Sequence, residues 1–153
     1  MDRDEILNRI RSERARLDEV LSRIPDERLL HRVDATTWTG KDQLAHLTAW
    51  HRVTLSRIAG NLPSDEEMDE TIDDINERFF ERDRETPLEE VRFGFASTFD
   101  RLVGAVESMS DADLARECDP RDPEHRTFSQ EIAADTFEHY LEHLPAFEVL
   151  AEG

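Results

Sequence analysis

The sequence predicts an all-α fold, a four-helix bundle with an extra short helical segment in the crossover. Three observations carry that expectation. Apolar residues recur at steps of three, four and seven along most of the chain; capping and breaking residues flank each such run; and no alternating stretch of β-branched residues bounded by turns offers a strand. Residues 1–153 hold about one domain's worth of chain, so a single domain with one core is expected.

From Asp2 to Ile24 the residues Ile6, Ile10, Leu17, Leu21 and Ile24 mark one helical face, and Pro25 stops the run. A second helix starts where the Thr39 hydroxyl can cap a first turn and ends at Gly60, suited to a left-handed C-terminal cap. Ser64 with Glu67 forms a capping box before Met68, Ile72, Ile75 and Phe79, which gives a helical piece over Met68 to Arg84 in the crossover. Thr86, Pro87 and Glu89 open the next helix, whose seam runs Leu88, Val91, Phe95, Phe99, Leu102, Val106, Met109. Residues 110–126, with two Asp-Pro steps, read as a long loop holding at most a short turn. Thr127 with Gln130 opens the last helix.

Charge and cysteine content narrow the function classes. Nineteen Lys plus Arg against 37 Asp plus Glu leave a formal charge of −18, which repels phosphate backbones and anionic headgroups, so neither nucleic acid nor membrane is expected as a partner. The single Cys118 rules out an intrachain disulfide framework and fits a reducing, cytoplasmic setting. It lies in the acidic stretch RECDP, where neighbouring charge opposes thiolate formation. The N-terminus carries no export pattern, and no apolar run approaches the ~18 residues of a membrane span.

The last helix places His139 and His143 four apart and, with Ile132, Phe147 and Leu150, within an arc of about 80°. Imidazoles on that stripe need hydrogen-bond partners or a metal ion, because an unsatisfied buried polar group costs about 1–3 kcal/mol. Two histidines at i and i+4 can ligate one ion, or can pack at the core edge against carboxylates. His46, in LAHLTAW of the second helix, supplies a third nitrogen if the bundle turns that helix toward the pair, leaving one coordination position open. Asp42, one turn before His46, can orient that ring, although a capping role beside Thr39 competes for it. His51 lies on another side of the same helix, and His31 and His125 fall in loops.

WTGKDQLAHLTAW at 38–50 and DTFEHYLEH at 135–143 resemble the DinB-like superfamily of four-helix bundles, and within it the ClbS/DfsB-like branch. The resemblance implies metal ligation by one histidine of the second helix and two of a C-terminal HxxxH, which fall on His46, His139 and His143. It also implies two activities. One is a metal-dependent thiol S-transferase or hydrolase acting on a small electrophilic molecule, with zinc, nickel or iron and a low-molecular-weight thiol as co-substrate. The other is a metal-free hydrolase or binder that protects against an electrophilic toxin, with Trp38, Trp50 and Tyr140 as pocket walls and a carboxylate as base. A structural or sequestering homodimer without chemistry is the third reading.

Overall fold

The computed structural model describes residues 1–32 and 38–152, and among these every regular element is helical. Helix α1 spans Arg3–Ser22, α2 Asp26–Leu29, α3 Gly40–Ile58, α4 Asp65–Met68, α5 Ile72–Asp83, α6 Leu88–Glu107, α7 Asp111–Ala115, α8 Phe128–Asp135 and α9 Phe137–Glu152. The bundle is built from α1, α3, α6 and the pair α8 and α9.

Side-chain contacts set the helix directions. Arg3 Nη1 donates to the carbonyls of Glu107 and Met109, and Arg14 Nη2 donates to that of Phe95, so α1 runs antiparallel to α6. The Arg9 guanidinium sits over the Phe137 ring, while Leu17 and Leu21 share a cluster with Phe147 and Leu150, so α1 and α9 run in one direction. Thr54 meets Asp135 and Gln43 meets His143, which makes α3 antiparallel to α8 and α9. Helices α3 and α6 are therefore parallel neighbours, and a parallel pair needs a long return connection. Residues 59–87, carrying α4 and α5, make that return, and α5 packs back on α3.

Local sequence accounts for most boundaries. Asp2, Thr39, Ser64, Ser110 and Thr127 each accept from a backbone N–H three residues on, and each box is closed by the cap residue's own N–H donating to the side chain of Glu5, Asp42, Glu67, Asp113 or Gln130. Gly60 adopts φ 91°, the left-handed conformation that ends α3 without a Cβ penalty.

Three boundaries differ from expectation. The run from Met68 to Phe79 is two helices, because Thr71 caps a fresh start at Ile72, and Met68 and Ile72 are exposed. The segment after Ser110 contains α7, whose Leu114 is buried. The terminal helix breaks at Thr136, which leaves helical geometry (φ −118°, ψ −105°) and turns its hydroxyl onto the Ile132 carbonyl at 2.6 Å. Pro145 sits inside α9 without ending it.

Gly40, the first residue of α3, is where α2, α3 and α9 meet. A Cβ there would lie 2.8 Å from Leu29 Cδ2, 2.9 Å from Leu150 Cδ1 and 3.2 Å from the Leu29 Cα, so only hydrogen fits without moving backbone. A Cβ added at Gly104, inside α6, would meet nothing within 4 Å. Gly40→Ala is expected to destabilise the protein by about 1–3 kcal/mol through overpacking, whereas Gly104→Ala gains about 0.5–1 kcal/mol from helix propensity. Urea denaturation of the two variants checks the contrast, and equal midpoints would show that the junction is not tight.

Candidate functional site

Helix α3 presents His46 toward α9, which presents His139 and His143. The three ring centroids form a near-equilateral triangle with sides of 4.8, 4.9 and 4.8 Å. One ligand-capable nitrogen from each ring lies within 4.8 Å of the others, and His46 Nε2 is 3.0 Å from His139 Nε2. Along the chain His46 and His139 stand 93 positions apart, and the antiparallel packing of α3 on α9 closes that distance.

All three imidazoles are neutral at physiological pH. Burial, with a smaller contribution from the neighbouring histidines, brings the His46 and His139 pKa values down to about 3, and burial alone brings that of His143 to about 4. Neutral rings keep a free lone pair, as a metal ligand must. His143 Nδ1–H donates to Gln43 Oε1, which fixes the tautomer that leaves Nε2 unprotonated. Nδ1 of His46 and of His139 is buried with no partner among the described residues. In the metal-free protein one Nε2–H must donate to the other Nε2, whereas with both lone pairs turned inward the two nitrogens repel.

The histidine triangle lies on a cleft of about 400 Å³. Trp38, Trp50, Ile72 and Ile75 make its apolar side, and Arg57, Arg126, Glu131 and Asp135 its polar side. Trp38 stands 4.8 Å from the His46 ring and stacks on Phe80 at 5.9 Å. Trp50 also lines the cleft, and its indole N–H donates to Asn76 Oδ1 at 2.9 Å. Tyr140 does not. It is 1% exposed and packed in the core, its hydroxyl sharing a 2.8 Å hydrogen bond with His51 Nε2. Its place one residue after His139 turns it about 100° away from the ligand face. The Asp42 carboxylate accepts from the Thr39 backbone N–H at 3.0 Å, so it serves the cap; it lines a small recess beside His46 without bonding to that ring.

Two cleft residues, Asp135 and Glu131, and one residue behind the histidines, Gln43, carry chemistry that sequence reasoning does not reach. Asp135 is 8% exposed; burial raises its pKa to about 6 against the opposing effect of the Thr54 hydroxyl, which donates to Oδ2 at 2.7 Å. Its Oδ1 has no hydrogen-bond partner among the described residues, and Asp135 lines the cleft. Glu131, also buried, pairs with Arg57 and lies 3.6 Å from Arg126. Gln43 is the hydrogen-bond partner of His143. A period-four signal is present in Asp135, His139 and His143, and Gln43 stands one turn before His46. Cys118 is buried away from this cleft, and burial, more than the adjoining Asp119, raises its pKa.

Residues 9–145 match the family model of the DinB superfamily. The chain belongs to that superfamily. Three solved structures share the fold across nearly its whole length, each at 16% identity. One is an uncharacterised protein from Escherichia coli UTI89 (TM-score 0.79, covering 99% of this chain and 93% of that one). Another is the colibactin self-resistance protein ClbS in complex with a dsDNA (TM-score 0.81, 99% and 96%). The third is DfsB, described as a sibling lethal factor precursor (TM-score 0.78, 96% and 93%). At that identity the likeness is one of fold. No curated protein matches this chain.

The expectation that nucleic acid is no partner is overturned by the ClbS complex: this fold occurs with duplex DNA bound. The physical error lies in inferring a partner from net charge. A sum over the whole surface does not describe the potential at one groove, where binding is decided. Among the described residues no helix is long and apolar enough to cross a membrane.

The buried histidines make the metal-free protein acid-sensitive. His46, His51 and His139 at about 3 and His143 at about 4 sit below the ordinary 6.5, so the unfolded chain takes up protons that the folded one refuses. Stability that is present above 6.5 is lost as the pH falls toward those values. Asp135, raised from 3.8 to about 6, acts in the opposite sense between those two values, one group against four. The urea midpoint of chelator-treated protein is expected to fall between about pH 7 and about pH 5; a constant or rising midpoint would contradict the burial of neutral rings.

Proposed function

We propose that His46, His139 and His143 hold a divalent metal ion and that the cleft beside them joins water or a thiol to a small electrophilic molecule. The observation that carries this reading is the convergence of three neutral imidazole nitrogens within 4.8 Å on the wall of a cleft. The donor set fits an ion. Two nitrogens each about 2.0–2.1 Å from one tetrahedral zinc stand about 3.4 Å apart, close to the 3.0 Å between His46 Nε2 and His139 Nε2. The Gln43 acceptor behind His143 is the usual support for a ligating ring, and the ligand set suits zinc, nickel or iron.

An ion so held supplies charge that lowers the pKa of water or of a thiol toward neutrality. The protein's own groups do the rest. Asp135 Oδ1 accepts the proton of the nucleophile while Thr54 holds Oδ2 and so fixes the carboxylate's orientation. The nucleophile's electron pair forms the new bond to carbon, the electrophile's leaving group departs with the pair of the broken bond, and the protonated Asp135 returns a proton to it. Trp38, Trp50 and Ile75 exclude water from the apolar part of the substrate. The protein has no cleft thiol of its own, Cys118 being buried elsewhere, so a low-molecular-weight thiol is the co-substrate when sulfur is transferred.

Asp135 also supports a second reading, a metal-free hydrolase of the same kind of substrate with this carboxylate as the base. Chelation separates the two. Turnover of an epoxide or activated aryl halide probe that stops with EDTA supports the metal reading; turnover that survives EDTA and falls by about 10²- to 10⁴-fold in Asp135→Asn supports the second.

Metal content is the more direct measurement. Elemental analysis of purified protein is expected to find about one ion per chain, lost in the His139→Ala, His143→Ala double variant and bound about 10- to 100-fold more weakly in Gln43→Ala. Equal metal in wild type and double variant would sink the proposal. At a free metal concentration of about 100 times Kd the ion adds about 2.7 kcal/mol, so chelation is expected to lower Tm by roughly 5–10 °C.

A further inference from the structure

Four arginines converge on one groove of a chain that carries 37 acidic residues against 19 basic ones. The groove, about 350 Å³ between α3 and α5, is lined by Arg52, Arg57, Arg78 and Arg82, with Glu67 as the only carboxylate among its lining residues. It adjoins the histidine cleft, because Trp50, Arg57 and Ile75 line both.

The guanidiniums are held in place and still have donors to spare. Arg78 spends Nε and Nη2 on Glu70 at 3.3 and 3.0 Å, and Arg82 spends the same two atoms on Asp83 at 2.9 and 2.8 Å. Each keeps Nη1. Both guanidiniums also sit over the Phe79 ring, 5.3 and 4.9 Å from its centroid, so one aromatic side chain positions the two. Arg57 is anchored by Glu131. Arg52 forms no hydrogen bond or ion pair with the described residues, and its Nη2 lies 3.2 Å from where a Cβ on Gly94 would be, at a second recess that Asp83 and Glu90 also line. The missing side chain at Gly94 gives Arg52 room to lie against α6.

We propose that this groove is an oxyanion subsite that takes a phosphate group, seated on Arg78 and Arg82, of a ligand that reaches the histidine cleft. Planar guanidiniums with free N–H donors match phosphate oxygens, and the aromatic floor lowers the local dielectric that would otherwise weaken the contact. The phosphate has two sources, a free small molecule or a nucleic-acid backbone, and both present the same oxygens. Metal at the histidines is not required, so chelated protein tests the subsite whether or not the ion reading holds.

The test is calorimetric titration of chelated full-length protein with inorganic pyrophosphate and, separately, with a short DNA duplex. Pyrophosphate is expected to bind, with affinity falling about tenfold or more in Arg78→Gln and in Arg82→Gln, and unchanged in Arg92→Gln, whose guanidinium pairs with Asp26 away from the groove. Circular dichroism confirms that the variants fold. Duplex binding that depends on the same two arginines identifies a backbone phosphate, and pyrophosphate binding without duplex binding identifies a free one. Failure of both probes to bind, or an equal loss in Arg92→Gln, overturns the proposal.

Discussion

Along the seam where α3 runs antiparallel to α8 and α9, polar pairs stand where a bundle would ordinarily place leucines. Gln43 meets His143, His46 meets His139, His51 meets Tyr140 and Thr54 meets Asp135, so that the pairs run from the start of α3 against α9 to its end against α8. Each pair fixes the register of the next, because a buried polar group that loses its partner costs about 1–3 kcal/mol. Sliding α9 by one turn would orphan several groups at once. The ladder is nevertheless incomplete: Nδ1 of His46, His51 and His139 is buried without a partner among the described residues. A protein that keeps such rings neutral and close together carries an energetic cost that apolar side chains would not, and the cleft at their edge gives the arrangement a use.

The crossover between the parallel helices α3 and α6 supplies the other side of that cleft. Helix α5 contributes Ile72, Ile75 and Asn76 to it, and Asn76 and Phe79 are tied to a tryptophan of the site. Asn76 accepts from Trp50, Phe79 packs edge-on against Trp50 at 5.7 Å, and the neighbouring Phe80 stacks on Trp38. Arg78 and Arg82 flank the same Phe79 ring. Topology explains why the site forms here, since the long return over α3 covers the face that α9 leaves open. The break at Thr136 belongs to the same arrangement: it separates Asp135, held by Thr54, from the helix that carries the two histidines.

Legibility follows the range of the interaction. The caps at Asp2, Thr39, Ser64, Ser110 and Thr127 depend on residues three apart, and those at Thr39, Ser64 and Thr127 are readable because an apolar stripe follows each. Ser110 opens a helix too short to show such a stripe, and its segment reads as loop. The histidine trio is also within reach, because His46 and the HxxxH pair each stand on an amphipathic stripe whose direction the spacing gives. Tyr140 is the counterexample: its aromatic character suggests a pocket wall, while its position next to His139 on the helix turns it toward His51 and the core. Asp135 repeats the period of the histidines, yet an acidic residue at a helix end reads as solvated until a partner such as Thr54, 81 residues away, is seen to bury it.

The sequence by itself determined the main helices, most of their caps, the all-α class and the three histidines, because these rest on contacts within one or two helical turns. Tertiary structure decided what those residues face. It set Gln43 behind His143, brought Asp135 into the cleft, withdrew Tyr140 from it, and gathered four arginines of an acidic chain on one groove. Composition averages over the surface and periodicity stops at the helix end; only the antiparallel register of α3 on α9, and the return of α5 across α3, bring distant side chains within bonding distance.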